Sequence, residues 1–172
     1  MKKLNLGCGG DIKKGYINLD MRKAPGVDMV HDLNKFPYPF ADNEFDEIVA
    51  YNILEHVDNM LKTMEELHRI LKQGGKLDII TPHYNGPMAW GNPEHRRGYG
   101  HDTFFYFVKG YAGKEKYTEQ QFSRCRAKLL FGKKFQIWNW IVEPIANLFP
   151  HFYEDTPFSI FPAQGVRAIL IK

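Results

Sequence analysis

The sequence predicts an α/β domain built on a mostly parallel sheet. Short apolar runs alternate with helical and turn segments along the chain, the order that yields parallel strands joined by crossovers. The first run, Leu4-Asn5-Leu6, enters a glycine-rich turn, and the second, Tyr16 to Leu19, ends in the carboxylate of Asp20. Ligands of open α/β sheets bind outside the carboxyl ends of the strands, so this turn and this carboxylate are the first candidate site. With 172 residues, 44% hydrophobic and 15% aromatic, residues 1–172 are long and apolar enough to form a single domain with a sizeable core.

The elements follow in order. Ala24-Pro25-Gly26 marks a turn, Val27 to His31 a short third strand before Asp32, and Phe36 to Phe40 a proline-stiffened loop. Phe45 to Tyr51 is a fourth strand. Residues 58–72 place Met64, Leu67, Ile70 and Leu71 on one side at helical spacing, and Gly74-Gly75 is expected to end that helix. Lys76 to Thr81 is a fifth strand, stopped by Pro82. Short helices are expected at 102–108 and 118–130, a sixth strand at Phe135–Trp140, and a closing strand at Gly165–Lys172. Two stretches stand apart as insertions: a glycine-, aromatic- and base-rich one around 83–132, and an aromatic, lid-like one around 141–161.

Glycines at 7 and 9 can adopt positive φ and let the backbone approach a ligand. A dinucleotide fingerprint would need a third glycine at position 12, which is Ile12. It would also need an acid about 20 residues on, whereas Asp20 follows Gly7 by only about 13. That interval leaves little room for a crossover helix, so NAD and FAD are disfavoured.

Met1-Lys2-Lys3 leads straight into the first strand, and no apolar run reaches transmembrane length, so a cytoplasmic protein is expected. Cys8 and Cys125 are too few for a disulfide framework or a zinc cluster. The net charge of +3 is unevenly placed. Residues 1–56 carry roughly −2 and residues 94–134 roughly +6, the latter including Lys114, Lys116, Lys133 and Lys134. This basic stretch reads either as a solvated face or as a surface for an anionic substrate or lipid headgroup. No nucleic-acid motif accompanies it, and no nucleic-acid partner is expected.

Four pieces in sequence, Leu4 to Gly9 (LNLGCG), Gly15 to Asp20 (GYINLD), Phe45 to Val57 (FDEIVAYNILEHV) and Leu67 to Gly75 (LHRILKQGG), resemble the class I S-adenosylmethionine-dependent methyltransferases, in particular the small methyltransferase-type-11-like group. The likeness covers residues 4–83 well and the C-terminal half loosely. It implies a Rossmann-like fold with seven strands in the order 3-2-1-4-5-7-6, the last antiparallel, and helices on both faces. It implies S-adenosyl-L-methionine as cofactor. Gly7, Cys8 and Gly9 would pass beside its amino-acid end, Asp20 would hold the ribose diol with Met21 against the adenine, Asp32 would accept from the adenine amino group with Leu33 alongside, and Asn52 would face the methionine portion. Either carboxylate could instead serve as a cap or turn residue. Asn5 stands where members often carry an acid, and Asp11 where a third glycine often falls.

Methyl transfer to a sulfonium-activated carbon demands alignment above all, and a base only where the nucleophile must lose a proton. The titratable residues after the fifth strand are the candidates. His95 is the expected proton acceptor and His83 the runner-up, with Tyr84, Arg96, Arg97 and His101 on the substrate side. His83, His95 and His101 lack a tight ligand spacing, so no metal is expected. The aromatic stretch Trp138–Tyr153 reads as core and lid packing, or as a membrane-interface element for a lipid-linked acceptor. The acceptor is thus expected to be a small molecule, a sugar or a lipid-linked molecule, with an acidic group that the arginines would hold, and peripheral membrane contact is compatible with the sequence. The rival reading is a non-catalytic module that keeps the fold and binds S-adenosylmethionine.

Overall fold

In the computed structural model, which describes residues 1–111, 117–132 and 136–172, the strands are β1 (Lys3–Leu6), β2 (Ile17–Asp20), β3 (Met29–Val30), β4 (Phe45–Tyr51), β5 (Leu71–Pro82), β6 (Arg124–Leu130) and β7 (Gly165–Ile171). They lie side by side in the order β3-β2-β1-β4-β5-β7-β6. The first five are parallel, and β7 runs antiparallel to both β5 and β6. The strand order expected from the sequence is the observed one, in a mixed sheet.

The central strands bury an apolar stretch in the middle of the sheet: Leu4, Leu6, Ile48, Val49, Ala50, Leu77 and Ile79 are buried. Helix α1 (Met60–Ile70) presses Met64, Leu67 and Ile70 into this core, and the Asn59 side chain caps it by accepting from the Lys62 amide at 3.0 Å. Helical cover is uneven. Among the described residues, the connections β1–β2, β2–β3 and β3–β4 contain no helix. The long loop before β4 is instead clasped by Arg69 of α1, which donates to the carbonyls of Tyr38 and Phe40 while Glu66 accepts from the Tyr38 amide.

Three local expectations are corrected. Helix α1 ends at Ile70, and Leu71 is already extended; Gly74, at φ +74°, sits within β5 where its register against β4 shifts. The glycine pair forms a bulge and not a helix cap, because Gly74 and Gly75 exchange backbone hydrogen bonds with Lys172. Second, the region expected as a helix over 118–130 holds β6. Its Arg124, Arg126 and Lys128 point outward and Leu129 inward, a two-residue period, and the ladder with β7 outweighs the helix propensity of Arg, Ala, Lys and Leu. Third, the expected strand at Phe135–Trp140 is not one: Phe135 lies outside the described residues, and Asn139 and Trp140 open a helix. Lys114, Lys116, Lys133 and Lys134 also lie outside them. The predicted turn of helix at 102–108 is a 3-10 turn over Thr103–Phe107.

The remaining helices are α2 (Pro87–Gly91), α3 (Asn139–Leu148) and α4 (Pro150–Asp155). Helix α3 shields the sheet edge, since the Asn147 side chain accepts from the Leu129 amide at 2.8 Å and donates to the Leu129 carbonyl at 2.9 Å.

Candidate functional site

A cleft of about 770 Å³ opens at the carboxyl ends of β1, β2 and β4. Of the residues singled out from the sequence, Gly7, Gly9, Asp20, Met21, Asp32, Leu33, Asn52 and Arg96 line it. A smaller hollow of about 430 Å³, between His68, Lys109, Phe122 and Lys172, lies at the opposite end of the sheet and contains none of them.

The turn after β1 is built from the backbone outward. Gly7 and Gly9 have φ of +62° and +50°. A Cβ on Gly7 would come within 2.2 Å of the Ile53 side chain, whereas one on Gly9 would meet nothing within 4 Å. Gly7 therefore seats the turn against the segment after β4, and Gly9 leaves room for a ligand. Cys8 is buried and acts through its amide, which donates to the Leu19 carbonyl at 2.9 Å and pins the turn to β2. The Asp20 carboxylate accepts from the amides of Gly9 at 2.8 Å and Arg22 at 3.0 Å. Two amides aim it, and its remaining lone pairs are free for a diol. Asp32 accepts from the Asn34 amide in a local turn at the cleft wall. Asn52 stands at φ +52°, uncommon outside glycine, with its amide held by the Ile80 carbonyl. These donors and acceptors, over a glycine turn with open space above it, fit a nucleoside carrying an amino-acid tail.

The acceptor-side candidates separate into two groups. His95 lies behind the cleft wall, its Nδ1 donating to the Ala89 carbonyl at 3.2 Å and its Nε2 3.9 Å from the Glu55 carboxylate. The His56 ring meets it edge-on at 4.7 Å and is the imidazole that lines the cleft. Glu55 is fully buried, and neither carboxylate oxygen has a hydrogen-bond partner among the described residues. Burial raises its pKa, opposed by its own amide and by His95. Burial also lowers the His56 pKa, with His95 adding to the effect.

The two arginines are both engaged. Arg96 pairs with Asp58 at 2.6 Å at the cleft rim, and its amide donates to the Glu55 carbonyl, stitching this loop to the turn after β4. Arg97 points the other way, donating to the carbonyls of Leu54, Val57 and Asp58, and does not line the cleft.

The second group converges on Glu154 of α4 and not on the cleft. His83 is fully buried, with Nε2 3.0 Å from the Glu154 carboxylate and Nδ1 accepting from the Asn85 amide. His101 donates its amide to the same carboxylate at 2.7 Å, and Tyr84 packs its ring on His83. Burial alone would raise the Glu154 carboxyl; the bonds from His83 and His101 outweigh it and hold the pKa below the usual range. Glu55, His56 and Glu154 were not singled out from the sequence. Glu55 alone left a signal there, a carboxylate inside the apolar run from Ile53 to Val57.

A family model described as "Methyltransferase domain" matches residues 4–79. An S-adenosylmethionine-dependent methyltransferase from Archaeoglobus fulgidus shares the fold with a TM-score of 0.69 and 16% identity, over 99% of this chain and 86% of that one. A demethylmenaquinone methyltransferase of Lysinibacillus sphaericus is 25% identical over 167 residues, 95% of this chain and 60% of that protein. An uncharacterized protein of Methanocaldococcus jannaschii is 52% identical over 43 residues, 25% of this chain and 19% of that protein. The chain thus spans less than two thirds of the length of these curated relatives.

Proposed function

We propose that residues 4–79, which match a methyltransferase domain model, bind S-adenosylmethionine as the class I methyltransferases do, and that this chain transfers a methyl group from it to a small acceptor with an apolar or lipid-linked body. The observation that carries the reading is one cleft lined together by Asp20, Asp32, Asn52, His56 and Arg96.

S-adenosylmethionine supplies a methyl group on a positively charged sulfur. Asp20 would bind the ribose hydroxyls with Met21 beside the adenine, Asp32 and Leu33 would hold the adenine edge, and Gly7, Gly9 and Asn52 would surround the amino-acid end, with Cys8 holding the turn in place through its amide. Arg96 at the rim holds an acidic group of the acceptor, and no proton-accepting role falls to His95, whose one free ring nitrogen faces Glu55 behind the cleft wall. The work of these residues is alignment, with reacting atoms kept about 3–3.5 Å apart.

An apolar acceptor is supported by the surface of α3 and α4. Trp140, Ile141, Leu148, Phe149 and Phe152 are all exposed there, an unusual density for a short helical pair. Among the described residues no helix is long and apolar enough to cross a membrane, so this face would rest on a bilayer and not span it. The relatives named demethylmenaquinone methyltransferase act, by that name, on demethylmenaquinone.

The test is transfer of labelled methyl from the cofactor to a panel of hydroxylated, carboxylated and lipid-linked acceptors. Turnover with an apolar-tailed member supports the reading. Cofactor binding without turnover on any member would leave the non-catalytic binding module as the function.

A further inference from the structure

Glu55, His56 and His95 bring their ligating atoms within 4.8 Å of one another at the acceptor end of the cleft. We propose that these three side chains bind a divalent first-row transition-metal ion, with its open coordination positions facing the cleft through the His56 side.

Both Glu55 oxygens are buried without a hydrogen-bond partner among the described residues, which is costly for any polar group and most costly for a charged one. The imidazole nitrogen that faces them is no donor. His95 uses its Nδ1–H on the Ala89 carbonyl, so Nε2 presents a lone pair to Glu55 at 3.9 Å. Lone pairs facing lone pairs in a buried site call for a cation between them.

The two nearby guanidinium groups do not supply it. Arg96 reaches Asp58 and the His56 carbonyl, and Arg97 reaches the carbonyls of Leu54, Val57 and Asp58. A shared proton serves poorly as well, since 3.9 Å exceeds a hydrogen bond, and it would leave the other carboxylate oxygen unserved.

A metal ion answers all three groups at once. Two imidazoles and one carboxylate are a donor set for Zn²⁺, Co²⁺, Mn²⁺ or Fe²⁺. The His95 bond to a backbone carbonyl is the outer contact that orients a metal-binding imidazole and fixes its tautomer. Ligand bonds of about 2.0–2.2 Å put tetrahedral ligand atoms about 3.4 Å apart, so the side chains close by about an ångström on binding. From the sequence no metal is expected, because the histidines at hand are His83, His95 and His101, and the fold gathers His83 and His101 around Glu154 instead. The use of the ion, holding an acceptor oxygen beside the methyl group, rests on the methyltransferase reading; the binding of the ion does not.

The experiment is titration of chelator-treated protein with Zn²⁺ by calorimetry and with Co²⁺ by visible absorption, in the absence of cofactor and acceptor. One ion per chain is expected, with affinity falling at least roughly tenfold in Glu55→Gln and in His95→Gln. His151→Asn, in the separate cluster with His101 and Asp102, should bind as the wild type does. Circular dichroism and S-adenosylmethionine affinity report whether each variant is folded, and His56→Gln replaces any that is not. No binding by the wild type, or binding lost in His151→Asn and kept in Glu55→Gln, overturns the proposal. S-adenosylmethionine binding in the same samples tests the functional reading separately.

Discussion

Asn5 of β1 donates its side-chain amide to the Asn18 side-chain oxygen of β2 at 3.0 Å, and to the Asp11 carbonyl at 2.7 Å. Both residues are buried, and the same Asn18 oxygen accepts from the Lys13 amide. This pair ties the turn Gly7–Tyr16 to the sheet where a crossover helix would otherwise do so. Only an amide suits position 5, because its neighbours there are acceptors. Asn5→Asp removes the donors and sets a carboxylate against two oxygens, so it should destabilise the fold by about 1–3 kcal/mol. Urea unfolding of the two proteins checks it; equal midpoints and slopes would refute the account.

Asp20 should dominate cofactor affinity. Asp20→Ala removes a charge-assisted acceptor worth about 1.5–3 kcal/mol, or roughly ten- to hundred-fold in Kd. Calorimetry with S-adenosylmethionine measures this directly, and unchanged affinity would move the ribose away from Asp20.

The glycines of the turn should respond unequally. Gly9→Ala carries only the left-handed backbone cost, about 1–2 kcal/mol, because the space beside it is open. Gly7→Ala adds the clash with Ile53, a further cost of about 1–3 kcal/mol. Pairing Gly7→Ala with Ile53→Ala should restore part of that difference in a double-mutant cycle; strict additivity of the two changes would contradict it.

Glu47 sets an acid limb. Burial would raise its pKa, but hydrogen bonds from Lys3, Lys76 and Tyr16 overcome this and draw it from 4.5 to about 2. A folded pKa below the unfolded one gives stability that is present above pH 4.5 and lost as pH falls toward 2. The full shift corresponds to at most about 3–4 kcal/mol, and salt will reduce it because Lys76 is partly exposed. Denaturant melts of wild type and Glu47→Gln should differ most near neutral pH and converge near pH 2. A constant difference across that range would assign the effect to packing.

The adjacent arginines should part company. Arg97→Ala frees the carbonyls of Leu54, Val57 and Asp58 and should lower thermal stability. Arg96→Ala, at the rim, should leave stability nearly unchanged and raise the acceptor's apparent KM. Melting curves and steady-state kinetics on both variants separate the roles, and identical behaviour would not fit them.

Local chemistry was enough to locate the frame of the cleft at the strand ends. The strand Phe45–Tyr51 was legible to the residue, as was the run from β1 through the turn to Asp20, because apolar runs, glycine turns and a terminal carboxylate are short-range signals. Strand β6 was not, since Arg124–Leu130 is composed of good helix formers whose preferences amount to tenths of a kcal/mol each. A ladder with β7, nearly the whole length of both strands, overrides that sum. The glycine pair at 74–75 was misread for a similar reason, because its partner is Lys172 at the far end of the chain. The two histidine groups lay further out of reach. Nothing local distinguishes His95, which the fold sets against Glu55 some 40 residues earlier, from His83, which it binds to Glu154 about 70 residues later. Which imidazole meets which carboxylate is decided by how the loops after β4 and β5 and helix α4 pack over the strand ends.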